Sequence, residues 1–120
     1  MKISISLLLV FMAFPSNAFE CRGHIFFFNL EEGSGEASAD FSYYYHEIIK
    51  WLPEEGISYS AHTELPLKAK TCFSNEITIP KTLLDDSLGY VFVKPDSEKK
   101  FIGGVLTGVD ISLMIEEFFD

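Results

Sequence analysis

Cysteine is scarce in this chain: Cys21 and Cys72 are the whole complement of its 120 residues. Basic residues are few as well, nine Lys and Arg against eighteen Asp and Glu, for a formal net charge of −9. So acidic a surface repels phosphate backbones, which excludes nucleic acid as a partner and leaves a basic protein as the natural one. There is no Gly-x-Ser-x-Gly elbow, no internal repeat and no low-complexity tract. Long apolar runs are absent except at the very start.

That start reads as an address rather than as structure. Met1-Lys2 gives a positive end, and Ile3 to Phe14 is apolar but for Ser4 and Ser6. Pro15-Ser16-Asn17-Ala18 then places small residues at the two positions a signal peptidase reads, Ser16 and Ala18. Residues 1–18 are expected to be a signal peptide, and residues 19–120 a single secreted or periplasmic domain. The run is shorter than the ~20 residues a membrane helix needs. Phe19 and Glu20 before Cys21 do not form a lipoprotein signal, so no membrane insertion is expected after cleavage. Loss of Lys2 and of no acid takes the charge from −9 to −10. In an oxidising compartment two cysteines allow one pairing, a structural Cys21–Cys72 disulfide. The alternative is a redox-active pair, for which Arg22 and Lys70 are the nearby cations.

What the chain has in quantity is aromatic side chains, with twelve Phe and five Tyr, which let a short chain bury a large area. His24 to Leu30 (His-Ile-Phe-Phe-Phe-Asn-Leu) is almost continuously apolar, the pattern of a central strand buried on both faces. Glu31 to Asp40 is small, acidic and glycine-bearing, so it is expected as a loop, with Asp40 capping the next helix. That helix is expected over Phe41–Leu52, on the spacing of Phe41, Tyr45, Ile48 and Leu52, with Pro53 as its stop. Ile57 to Leu65 alternates, with Ser58, Ser60, His62 and Glu64 on the second face, as a half-exposed strand near a sheet edge does. Strand, helix and strand with short connections make a right-handed parallel βαβ unit.

Pro66 to Ile79 carries Cys72 and is extended over Glu76–Ile79, and Pro80 to Ser87 is expected as a short helix turning Leu83, Leu84 and Leu88 inward. Tyr90-Val91-Phe92-Val93-Lys94 and the stretch from Lys99 form a hairpin about Pro95-Asp96. Gly103-Gly104 marks a bulge or a close backbone approach, and Thr107-x-x-Asp110 is a variant capping box opening a terminal helix.

Tyr43-Tyr44-Tyr45 occupies three successive helix positions spanning about 200°, so one ring, Tyr43, should face away from the core. An exposed tyrosine beside Glu31, Glu32 and Glu36 is material for a contact with a basic protein. Other candidates carry less. His24, His46 and His62, even with Glu47 and Glu64, lack the spacing of a zinc or calcium motif, so no metal is expected. Gly33-Ser34-Gly35 lacks the Lys-Ser/Thr of a phosphate loop and is ringed by acids, so no cofactor is expected. The pairs Glu54-Glu55, Asp85-Asp86 and Glu116-Glu117 read as solvated charge, and no catalytic residue is assigned.

The order β-α-β-α-β-β-α, and above all the closing Tyr90–Lys94 strand, polar turn, glycine-bearing strand and amphipathic helix, resembles the thioredoxin-like fold. The resemblance implies an α/β domain of βαβ-α-ββα order, a four-stranded mixed sheet with flanking helices. It implies no redox activity, since Leu30 to Phe41, where the family carries Cys-x-x-Cys, has no cysteine, and Ser87-Leu88-Gly89 stands where the cis-proline would be. It also puts Cys21 and Cys72 together at the far end of the sheet from that site. The expected function is a non-enzymatic binding protein with a structural disulfide. The alternative is a thiol–disulfide oxidoreductase using Cys21 and Cys72.

Overall fold

The structure is a computed structural model that describes residues 21–30, 35–64, 67–74, 76–79 and 88–120. The signal peptide expected over residues 1–18, Glu31, Glu32 and the short helix expected over residues 80–87 lie outside the described residues. Four strands form a mixed sheet in the order β2-β1-β5-β6. They are β1 (Gly23–Asn29), β2 (Ile57–His62), β5 (Leu88–Val93) and β6 (Lys99–Gly103). β1 runs parallel to β2 and antiparallel to β5, and β5 antiparallel to β6. Helices α1 (Gly35–Ile48) and α2 (Gly108–Phe119) cover one face, and a hairpin of β3 (Leu67–Ala69) and β4 (Ile77–Ile79) lies against the other.

The central strand organises both layers. All seven residues of β1 are buried. Ile25 and Phe27 point to the helices, where Phe27 meets Tyr45 edge-on at 4.8 Å and Tyr90 at 5.6 Å. Such edge-to-face rings add about 0.5–1.5 kcal/mol to the area they bury. Phe92 lies 5.6 Å from both Phe118 and Phe119 of α2. On the other face Phe26 and Phe28 join Val91, Val93 and Ile79 beneath the hairpin. Gly23 admits the close approach of α2, because a Cβ there would collide with the Phe119 ring and the Val93 carbonyl.

Several boundaries differ from the sequence reading. Asp40 does not cap α1 but lies inside it, since the helix begins at Gly35. The apolar stripe of Phe41, Tyr45 and Ile48 extends one turn back to Ser38, which is buried and exchanges hydrogen bonds with the Asn29 side chain at 3.0 and 3.2 Å. At its other end α1 stops at Ile48, because Pro53 has no N–H to continue it. Leu52–Glu55 instead makes a 3-10 turn that Gly56 ends in the left-handed conformation, φ 75°. β2 ends at His62, short of Leu65. No bulge interrupts the β5–β6 register, which runs unbroken from Gly89↔Gly103 to Val93↔Lys99. The close approach is real, however, for a Cβ on Gly89 would lie 3.2 Å from Gly103 Cα and 2.7 Å from the Ile102 carbonyl. Thr107 caps α2 as the spacing implied, accepting the Asp110 N–H at 3.3 Å. No helix among the described residues is long and apolar enough to cross a membrane.

Cys21 and Cys72 are joined in a disulfide, with Cα atoms 5.8 Å apart and 51 positions apart in sequence. The bond anchors the hairpin segment to the start of β1. Closing so long a loop stabilises a chain by about 4 kcal/mol on the entropic account. The Cys21→Ser/Cys72→Ser protein is therefore expected to lose roughly that much unfolding free energy in urea, and an unchanged midpoint would show that the hairpin holds without it.

Candidate functional site

Two places gather side chains of chemical interest. The first lies under the hairpin, beside the disulfide. His24 is 1% exposed, with Nδ1 2.6 Å from Ser58 Oγ and Nε2 2.9 Å from Ser60 Oγ. His62 Nε2 is 2.6 Å from the same Ser60 Oγ, and the Cys72 N–H donates to Ser58 Oγ at 3.1 Å. With both imidazoles neutral, one proton arrangement satisfies every contact. His62 Nε2–H donates to Ser60, whose hydroxyl donates to His24 Nε2. His24 Nδ1–H donates to Ser58, whose hydroxyl donates to the Gly23 carbonyl at 3.4 Å. This chain requires a neutral His24. Burial, and secondarily the charge of a protonated His62, push its pKa down to about 4, and burial also lowers that of His62. Parallel pairing makes the cluster, by setting His24 opposite Ser58 in the β1–β2 register. The alternation of β2 had marked Ser58, Ser60 and His62 as a half-exposed polar face, and all three are partly exposed on this edge strand, with His24 of β1 bonded to its two serines.

Among the described residues no three His, Cys, Asp or Glu side chains come together to hold a metal. The Cys72 sulfur sits 3.2 Å from the Gly23 carbonyl oxygen. Arg22 turns to Glu55 at 3.3 Å and Asp120 at 2.7 Å rather than to a sulfur.

The second place is an open groove of ≈ 1060 Å³ between α1 and α2. Tyr43 is 62% exposed and lines it, as the triple-tyrosine reading required of its outward ring, while Tyr44 and Tyr45 are partly buried. Across from Tyr43, Val109 and Leu113 of α2 are 71% and 58% exposed. Tyr44 and Trp51 form part of the floor, and Glu47, Glu55, Glu116 and Asp120 give the rim an acidic character. Its two cations are engaged, Arg22 as above and Lys50 with Glu47 at 3.1 Å. At the Arg22 end that side chain also donates to the Phe119 carbonyl at 3.1 Å, tying the end of α2 to β1. Glu36 is exposed in the first turn of α1, seven positions before Tyr43 and so on the same helix face, about 10 Å away along the axis. It is not among the residues lining the groove. Val109 and Leu113 were not singled out from sequence. The available signal was that they are apolar yet off the stripe of Ile111, Ile115 and Phe118 that α2 turns to the core.

Comparison with known proteins finds no family model that matches the chain, and no curated protein or solved structure similar to it.

The histidine cluster makes stability depend on pH. The folded pKa of His24 lies below the unfolded 6.5, so the unfolded chain takes up the proton first. Stability is full above pH 6.5 and falls as pH drops towards 4, by on the order of 3 kcal/mol. A His24→Asn protein should be less stable at neutral pH but show a flatter slope through that window. Equal slopes in urea titrations of the two proteins would mean that His24 is not held neutral.

Proposed function

We propose that this is an extracytoplasmic, non-enzymatic binding protein on a thioredoxin-like scaffold, and that the groove between α1 and α2 is its contact surface for a basic protein partner. The observation that carries the reading is the convergence of Tyr43, Val109 and Leu113. They are the exposed large apolar side chains among the described residues, and all three border one groove. Exposed apolar residues scattered singly need no explanation, whereas a cluster rimmed by charge is the pattern of an interface.

The scaffold reading is supported by strand directions. β1, β2 and β6 run one way and β5 the other, in the order β2-β1-β5-β6, with α1 and α2 on one face. Where β1 leads to α1, the place of the family's reactive cysteines, this chain has the hydrogen-bonded pair Asn29 and Ser38. Its own sulfurs are bonded at the opposite end of β1. The Cys21–Cys72 disulfide and a signal-like N-terminus favour an oxidising compartment. Glu36 extends the acidic surface along α1, and Glu31 and Glu32 adjoin it in sequence.

The test is capture from the extracytoplasmic fraction with the wild-type protein and with Leu113→Asp, followed by amide-exchange mapping of the complex. The wild type should retain a basic protein that protects residues 43–51 and 108–116. Leu113→Asp should lose it with its melting temperature unchanged, since Leu113 is largely exposed. Protection elsewhere, or equal capture by both, would remove the groove from consideration.

A further inference from the structure

We infer that the partner enters the groove as a cationic amphipathic helix, its apolar side on Tyr43, Val109 and Leu113 and its Lys or Arg side chains over Glu47, Glu116 and Asp120. This rests on the groove reading above and names the occupant.

Shape decides between a helix and a strand. An added strand needs a free sheet edge, and the edges of this sheet are β2 and β6. The groove is walled by two helices, with Tyr44 Cδ1 at the Gly108 backbone at one end and the Arg22 clamp on Glu55 and Asp120 at the other. From Thr107 to Asp120 the α2 wall measures about 20 Å, the length of a helix of nearly four turns. A helix of that length places anchors at i, i+3 or i+4, and i+7, which matches a row of exposed apolar side chains at its own spacing. A small molecule is a poorer occupant, because the polar lining consists of surface charges rather than a few buried groups converging on one point.

Charge decides the rest. Four acids line the groove against two cations, both already ion-paired within it. Among the described residues no cation pairs with Glu116. The C-terminal end of α2 adds the negative pole of its dipole, and its last turn holds no basic residue. A second copy of a chain with net charge −9 would bring acid to acid, and an anionic membrane surface would be repelled in the same way.

Trp51 is the chain's one tryptophan and lines the groove, so its fluorescence reports occupancy directly. The probes are three synthetic peptides of about four helical turns. One carries leucines on one face and lysines on the other. The second replaces every lysine with glutamate. The third keeps the lysines but has two central prolines that forbid the helix. The lysine peptide should shift Trp51 emission, bind more weakly as salt is raised, and lose about tenfold or more in affinity to Leu113→Asp. Glu116→Lys should weaken the lysine peptide by about tenfold and improve binding of the glutamate peptide. Equal binding of the lysine and glutamate peptides, tight binding of the proline peptide, or indifference to Glu116→Lys would each overturn the inference. If none of the peptides binds while Leu113→Asp still abolishes capture of the native partner, the cationic helix falls and the groove stands. If Leu113→Asp leaves native capture intact, the groove reading falls with it.

Discussion

The burial of β1 on both faces is the constraint from which the architecture follows. Three consecutive phenylalanines send rings alternately to opposite sides of one strand, Phe27 to one layer and Phe26 and Phe28 to the other. Neither side can be left to water, since full burial of each ring is worth about 1.5–3 kcal/mol. A chain of this size must therefore supply two covers. Helices α1 and α2 cover one face, where they bring Phe41, Ile48, Ile111, Ile115, Phe118 and Phe119. The second face receives, among the described residues, a hairpin whose strands are three residues each.

That second cover is weak by itself, since a two-stranded hairpin is marginal in water. Two devices hold it. The disulfide fixes its Cys72 to Cys21, just ahead of β1, and Ser58 accepts the Cys72 N–H while holding His24. The imidazole sits where the aromatic file Phe28, Phe26 continues towards the disulfide, tilted at 49° to Phe26 with ring centroids 4.3 Å apart. It fills the volume of a ring and also satisfies the polar atoms of β2, which a phenylalanine there would leave unpaired. The cover over the second face of the core is thus secured by a bond of the kind that oxidising environments maintain.

Sequence displayed what its hydrophobic pattern encodes directly. The unbroken run at Phe26–Phe28 announced a central strand, the Tyr90–Val93 strand and its partner announced a hairpin, and Thr107 announced the start of α2. It hid what polar residues do inside. Ser38 closes the buried stripe of α1 through hydrogen bonds to Asn29, so a helical turn looked like loop. Ser58 and Ser60 are half-exposed as their alternation implied, but their partner, His24, is thirty-odd residues away and meets them only through the parallel register. The groove was half legible. Tyr43 could be assigned outward from helix geometry alone, but Val109 and Leu113 gain meaning only when α2 is seen to run beside α1.

These observations bear on where function can reside. On the thioredoxin-like reading, chemistry would belong at the junction of β1 and α1, and that place is filled by a neutral, mutually satisfied Asn29–Ser38 pair. The sulfurs are bonded at the far end of β1, beside the His24 cluster. On the surface the acids could have been spread evenly for solubility alone. Instead, two helices that share a core have solvent sides that diverge around apolar side chains. Three of the four acids that line the groove are already paired, Glu55 and Asp120 through Arg22 and Glu47 with Lys50. On the reading proposed above, Glu116, with which no cation pairs among the described residues, is the charge left for a basic partner to neutralise.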